Sequence, residues 1–240
     1  MKPVFKLGDS DATRDPRDLA AYGIPEAAHY LQIPAATLRS WVVGRPYPTR
    51  AGIRMFAPVI ELPDRGNPSL SFFNLVEAHV LGALRRQHGI KLPRVRAAVR
   101  YLREKFRSRH PLADRSFETD GLDLFIEQTG LLIAVSGAGQ IGIREVLEAH
   151  LRRIEWDPTG AAIRLFPFTR NGVSSEPKGI VIDPHVSFGR PALAGKGIPT
   201  AVIAERYKAG ESVDSLTTDY ECSRDEIEEA IRCELRLEAA

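Results

Sequence analysis

Gly23-Ile-Pro-Glu-Ala-Ala-His-Tyr-Leu-Gln-Ile-Pro-Ala-Ala-Thr-Leu-Arg-Ser-Trp-Val-Val-Gly44 is the stretch on which the reading of this chain turns. Pro25 suits the first turn of a helix, where its missing N–H is not needed. Ile24, Ala28 and Leu31 then recur at i, i+4 and i+7, the spacing of one helical face. Ile33-Pro34 ends that helix, because the residue before a proline is driven out of the α region. A second short helix is expected over 34–43, with Leu38, Trp41 and Val42 as its apolar stripe and Gly44 as its stop. Two short helices across a tight turn make a helix-turn-helix pattern. Recognition helices read base edges from their N-terminal residues, which singles out Ala36, Thr37, Arg39 and Ser40. An arginine there can pair bidentately with guanine, a contact worth about 1–3 kcal/mol of discrimination. Arg45, Arg50 and Arg54, in the turn-rich or wing-like stretch that follows, are expected to contact phosphate and to carry little sequence information.

The charge distribution agrees. The 240 residues hold 33 Lys+Arg and 31 Asp+Glu, a near-neutral +2. Residues 1–110, however, carry 19 basic against 9 acidic side chains (+10), residues 111–178 carry 7 against 10 (−3), and residues 179–240 carry 7 against 12 (−5). A sign asymmetry of this size points to a nucleic-acid partner for the basic part, a solvated basic face being the plainer alternative. No apolar run approaches the roughly 18 residues of a membrane helix, and the start lacks the apolar core of a signal peptide. Cys222 and Cys233 form no CxxC pair, so neither a disulfide framework nor a structural zinc site is expected. A cytoplasmic protein follows, without cofactor or metal.

Outward from the helix-turn-helix, residues 1–18 have little apolar content and read as a mobile tail. Residues 59–62 and 70–73 are expected to pair as a hairpin around Asp64-Arg65-Gly66-Asn67. Asn74 would cap a helix over 75–88, with Glu77 in the capping-box position. Pro93 opens another helix that turns Val95, Val99, Leu102 and Phe106 to a core and Arg96, Arg100, Arg103 and Arg107 to the opposite side. That arginine stripe can meet a phosphate backbone, lie in solvent or face acidic groups. Residues 117–119, 124–127, 131–135 and 162–168 read as strands and 142–154 as a helix.

The last sixty or so residues are again helical. A helix from Thr200 ends at Gly210, Ser212 caps the next, and Ser223 caps a third, with Glu226 closing a capping box and Ile227, Ile231 and Leu235 as its stripe. This resembles a second helix-turn-helix, but its would-be reading helix carries Asp225, Glu226, Glu228, Glu229 and Glu234, which phosphates would repel. It reads as a protein-binding unit. The chain thus divides into a tail (1–18), a DNA-binding domain (19–110), an α/β dimerisation or connecting module (111–170), a linker (171–179) and a helical domain (180–240).

Several motifs favour bland readings. Gly137-Ala-Gly139-Gln-Ile-Gly142 matches the G-x-G-x-x-G of dinucleotide sites, but too few strand-helix units surround it, and a glycine-rich turn is the better reading. Gly189-Arg-Pro-Ala-Leu-Ala-Gly195-Lys196 misses the P-loop spacing by one residue and has Gly197 where Ser/Thr should bind magnesium. The six histidines show no ligand spacing, and Asp183 and His185 around Pro184 read as a turn. No catalytic cluster emerges, so no enzyme is expected.

Two stretches resemble known families. Ile24-Pro-Glu-Ala-Ala28, Ile33-Pro34, Thr37-Leu-Arg39 and Phe72-Phe-Asn-Leu-Val-Glu-Ala-His-Val-Leu81 are similar to MerR-like winged helix-turn-helix proteins. Ile182-Asp-Pro-His185, Gly189-Arg-Pro191, Gly195, Ile198-Pro-Thr200, Ala209-Gly-Glu-Ser212 and Asp219-Tyr220 resemble domain-of-unknown-function family 433, found in VapB-type antitoxins. The second resemblance implies an antitoxin that neutralises a PIN-like ribonuclease toxin from the adjacent gene and represses its own operon. The fold expected is mainly α with a smaller β component (α+β), a homodimer on double-stranded operator DNA, with the toxin held by residues 180–240. The competing expectation is a ligand-responsive MerR-like regulator without a toxin; a nucleotide-binding enzyme using Gly137–Gly142 is the third.

Overall fold

A computed structural model describes residues 15–49, 52–64, 66–85, 92–129, 137–170 and 177–235. After a 3-10 turn at Pro16–Asp18, a two-residue strand β1 (Tyr22–Gly23) leads into α1 (Ile24–Leu31) and α2 (Ala35–Val42). β2 (Arg45–Thr49) and β3 (Gly52–Phe56) form an antiparallel ribbon, and β4 (Ser69–Leu70) returns to pair with β1. α3 (Phe72–Arg85) and α4 (Leu92–Phe106) complete the first half. A π-helical turn, Phe117–Gly121, runs into α5 (Leu122–Thr129), followed by α6 (Gly137–Leu151) and the hairpin β5 (Ile154–Trp156) and β6 (Ala162–Leu165). β7 (Ile180–Val181) pairs with β8 (Ala192–Leu193), and α7 (Thr200–Lys208), α8 (Val213–Tyr220) and α9 (Arg224–Leu235) close the chain. The fold is α+β with helix predominant, as the sequence indicates. Among the described residues no helix is long and apolar enough to cross a membrane, and no group of three or more His, Cys, Asp or Glu is placed to hold a metal ion.

Among the described residues two apolar clusters organise the fold. The larger runs from Tyr22 through Leu38, Trp41, Phe72, Leu102, Phe117, Phe125 and Leu147 to Ile182, so the helix-turn-helix and the central segment share one core. The smaller joins Ile180, Leu193, Ile203, Leu216, Ile227 and Ile231. Polar bonds tie the C-terminal unit to the rest. Leu165 and Ile182 exchange backbone hydrogen bonds of 3.0 and 2.8 Å, the Tyr22 hydroxyl donates to the Gly189 carbonyl at 3.0 Å, and Arg190 pairs with Glu26.

Several expectations need correction. Residues 59–62 and 70–73 form no hairpin: the N–H groups of Val59 and Ile60 donate to the Trp41 carbonyl, and Leu70 pairs with Tyr22. The following helix starts at Phe72, with Ser71 as its cap. Ser71 Oγ accepts from the Asn74 N–H and Asn74 Oδ1 from the Ser71 N–H, so Asn74 closes a reciprocal cap and Glu77 is freed for the core. Residues 117–119 and 124–127 are helical, not strands, because Phe117, Leu122, Phe125, Ile126 and Thr129 are buried at helical spacing. The strand expected over 131–135 lies outside the described residues. α6 begins at Gly137, so the three motif glycines sit inside its first turns rather than in a turn before it. The helix ends at Leu151, and Ile154 opens a strand. Of the expected tail, Asp15–Asp18 is anchored: the Arg17 guanidinium donates to Asp157 at 2.7 Å and to the Ala162 carbonyl at 3.2 Å. Residues 1–14, and 171–176 of the expected linker, lie outside the described residues.

Glu77, so buried, meets His110. The His110 ring lies 3.2 Å from Glu77 Oε2 and 3.0 Å from Asp18 Oδ1, is stacked on Phe73, and Arg109 lies 3.6 Å from Asp18. Burial opposes a charge on this ring, but the bond to Glu77 and the two nearby carboxylates outweigh it and raise its pKa. A folded-state pKa above the unfolded one gives stability that is complete below about pH 6.5 and fades as pH rises through the folded value. Thermal melts should therefore fall in midpoint on going from mildly acidic to alkaline buffer, and His110→Gln should flatten that slope. A wild-type midpoint insensitive to pH over this range would contradict the account.

Candidate nucleic-acid interface

α2 buries Leu38, Trp41 and Val42 and turns Ala36 and Arg39 to solvent, with Thr37 and Ser40 half-buried beside them. Arg39 is thus on the open face, and Ser40 Oγ donates to the Thr37 carbonyl at 2.7 Å. Pro34 caps the helix without a side-chain bond, and no acidic residue lies in the first turn. Its N-terminal N–H groups therefore present the positive end of the helix dipole to whatever approaches, a setting suited to an anion. The far end is fixed to the ribbon. The Trp41 carbonyl takes the two N–H bonds from Val59 and Ile60, and Gly44, at φ +86°, brings its backbone against the Phe56 carbonyl.

The ribbon is the wing-like stretch expected after α2, resolved as two paired strands. Arg45 and Arg54 are exposed on it, while Arg50 lies outside the described residues. Tyr47 stacks on Phe56 with ring centroids 4.0 Å apart, and the guanidiniums of Arg45 and Arg96 lie over the Phe56 ring at 5.6 and 5.8 Å. Tyr47 and Phe56 were not singled out from the sequence, although alternating aromatic and basic residues beside a helix-turn-helix are a usable signal. The arginine stripe of α4 is divided. Arg96 leans on the wing, Arg103 pairs with Glu61 at 2.5 Å, and Arg100 and Arg107 are exposed. Between α2 and the return from the wing lies a cleft of about 860 Å³, lined by Arg39, Val42, Pro58, Glu61, Leu62 and Arg109 among others.

The C-terminal helices contrast in electrostatics. α9 is capped by its own acids: the Ser223 N–H donates to Glu226 at 2.7 Å, Asp225 and Glu226 fill the first turn, and Arg224 is bonded to Asp214 and Glu228. The dipole end that α2 leaves open is occupied here. Asp183, as its sequence context indicates, forms a turn: Oδ1 accepts from the His185 N–H at 2.9 Å, and Oδ2 from Arg164 at 2.9 Å. Both cysteines are buried free thiols, and burial pushes Cys233 up to about 12.

Comparison with known proteins matches both halves. Residues 180–232 match the family "Protein of unknown function (DUF433)", and residues 20–99 match "Putative DNA-binding HTH domain". The chain is 28% identical over 232 residues to "Putative antitoxin VapB45" of Mycobacterium tuberculosis (strain ATCC 25618 / H37Rv), covering 89% of this chain and 93% of that one. It is 25% identical over 223 residues to "Uncharacterized protein Rv2308" of the same organism, covering 89% and 90%. The X-ray crystal structure of Rv2018 from Mycobacterium tuberculosis superposes with a TM-score of 0.64 at 23% identity, over 90% of this chain and 98% of that one, which speaks for the fold alone.

Proposed function

With residues 180–232 in the DUF433 family and residues 20–99 in a helix-turn-helix family, we propose that this chain is a DNA-binding antitoxin of VapB type. The observation that carries the reading is the opposite treatment of two similar helices. In the basic half, α2 has an open N-terminus and an exposed Arg39; in the acidic half, α9 has its N-terminus filled by carboxylates. The first suits the major groove, with Ala36, Thr37, Arg39 and Ser40 toward the bases and Arg45, Arg50 and Arg54 toward phosphate. Arg100, exposed on α4, would add a phosphate contact; Arg96 and Arg103 are engaged within the chain and would have to be released to join it. The second suits a protein. Its partner is a PIN-like ribonuclease encoded by the adjacent gene, whose basic RNA-binding groove the acidic unit would meet with favourable long-range electrostatics. A cytoplasmic homodimer joined through residues 111–170 would present two reading helices to a two-fold operator and repress the operon, in the manner of MerR-like regulators.

Purification of the chain with the adjacent gene product, and titration of its own upstream DNA, test this reading. Arg39→Ala should lower specific DNA affinity by roughly 10- to 100-fold, as loss of a bidentate base contact does, while the complex with the adjacent gene product survives. Loss of both would place the partner on the DNA-binding face. The ligand-responsive alternative draws on the cleft beside Arg39; an operator affinity that shifts with a small molecule, with no protein recovered from the neighbouring gene, would favour it.

A further inference from the structure

A single phenylalanine stands out from the C-terminal unit. Phe188 lies in a one-turn 3-10 segment, Ser187–Gly189, and is 95% exposed. Lone apolar side chains in water are ordinary, but this one is held there at a cost. Ser187, Phe188 and Gly189 have φ of +50°, +54° and +74°, three successive residues in the left-handed region, which only the glycine adopts freely. Strain of this kind persists where surrounding bonds over-determine it, and it gathers where a protein grips a ligand. Such bonds lie on both sides of the ring. The Ser187 hydroxyl donates to the Gly197 carbonyl at 3.1 Å, the Gly189 N–H to the Val186 carbonyl at 2.9 Å, and the Arg190 N–H to the Ser187 carbonyl at 3.0 Å. The Tyr22 hydroxyl, bonded to the Gly189 carbonyl, stands so close that a Cβ at Gly189 would lie 2.4 Å from it. The turn is thus fixed while its ring covers nothing. Glycine or asparagine at 188 would make the same turn with less strain, so the turn does not account for the phenylalanine.

We propose that Phe188 is the anchor by which the acidic C-terminal unit holds its protein partner, the ring entering an apolar pocket on a basic surface of the adjacent gene product. The inference rests on the reading of residues 180–240 as the protein-binding unit and names the side chain that carries most of that contact. Aromatic side chains seated in a pocket at the centre of an interface carry a large share of its binding energy. A ring already fixed in position loses little freedom on docking. Charge selects the occupant. The cations around the turn are engaged: Arg190 with Glu26, Arg164 with Asp183 and Glu155, His185 beside Asp183, and Lys196 with Glu226 and the Glu221 carbonyl. The exposed carboxylates of Glu221 and Asp225 have no such partner among the described residues, and residues 179–240 carry a net −5. At long range the unit therefore presents surplus negative charge. It repels a duplex, and a second copy would bring the same acidic unit against itself, whereas a basic protein is drawn in.

Phe188→Ala and Phe188→Gly in the full chain test this against the purified adjacent gene product. Both remove the ring; alanine keeps the left-handed strain and glycine relieves it. Because the ring covers nothing, Phe188→Ala should melt with the wild type and Phe188→Gly no lower. Each should lose about 30-fold or more in affinity for the partner, as truncation of an interface hot spot does, chiefly through faster dissociation. Association of the wild type should slow as salt is raised. Affinity for the duplex directly upstream of the coding sequence should be the same in all three proteins. Variants that bind the partner like wild type overturn the anchor. So does a loss confined to Phe188→Gly, which would make turn rigidity and not the ring the source of affinity. A melting temperature several degrees lower in Phe188→Ala, weakened self-association without the partner, a matching loss of duplex affinity, or wild-type association indifferent to salt each overturn it as well. A wild type that binds no protein from the adjacent gene overturns the reading of the acidic unit itself.

Discussion

Gly44→Ala should cripple the wing and with it DNA binding. Gly44 sits at φ +86°, and a Cβ placed there would lie 2.1 Å from the Phe56 carbonyl oxygen and 3.3 Å from its carbon. The left-handed conformation alone costs an alanine about 1–2 kcal/mol. The contact is with backbone, so no side chain can swing aside, and relief requires β3 to move off the end of α2. That motion also pulls Phe56 from beneath Arg45, Tyr47 and Arg96. A total loss of about 3 kcal/mol would lower the melting temperature by roughly 6–12 °C for a chain of this size. Affinity for duplex DNA should fall at least about tenfold, since every wing contact depends on this joint. Gly52→Ala is the matched control. Its φ is +112°, but a Cβ there meets nothing within 4 Å, so strain is its whole cost. If the two variants melt together, the contact with Phe56 is not what holds the wing.

Why the sequence revealed α1 and α2 but left the wing open between a turn and a ribbon follows from the same joint. α1, α2 and α7–α9 are short helices whose ends are written locally: Pro25 and Gly44 around the first pair, Ser212 and the Ser223–Glu226 box around the last two. Caps and apolar spacing act within a few residues, so a linear reading recovers them. The wing strand contains Pro46 and Pro48, which ordinarily argue against a strand. They are two residues apart, so both can occupy the non-hydrogen-bonded positions of an antiparallel pair and leave the bonding to Arg45, Tyr47 and Thr49. Only the partner strand makes that visible. The central segment failed differently. Phe117 and Leu122–Ile126 supply runs short enough to pass for strands, and it is the burial of Phe125, Ile126 and Thr129 against α4 and neighbouring turns that fixes them as helix. Of the interface, exposure of Ala36 and Arg39 was readable from the position of Leu38, Trp41 and Val42. The capture of Arg103 by Glu61 was not, because the pair spans 42 residues.

Glu229→Ala should loosen the C-terminal unit from the rest of the chain while sparing α2. The Glu229 side chain is only 4% exposed, and it is the acceptor for four donors: Thr169 Oγ1, Arg170 Nε at 3.2 Å, Arg170 Nη2 at 2.8 Å, and Arg232. Thr169 and Arg170 lie just past β6, and Glu229 on α9, so this one carboxylate fastens the acidic helices to the central module. Its removal forfeits several charge-assisted bonds at once. The guanidiniums of Arg170 and Arg232 are 47% and 32% exposed and can turn to water, which limits the penalty to about 2–3 kcal/mol rather than the larger cost of a stranded buried charge. Arg170→Ala should cost less, because Glu229 keeps Arg232 and Thr169. Hydrogen exchange should quicken across α7–α9, and, under the proposed function that puts the protein partner on these helices, the complex with the adjacent gene product should weaken. DNA affinity at a temperature where the chain is folded should be unchanged, because the buried residues of α2 belong to the other core. Quickened exchange in α1 and α2 to the same degree would mean that the two cores unfold as one unit, and that the acidic helices cannot yield to a protein partner without disturbing α2.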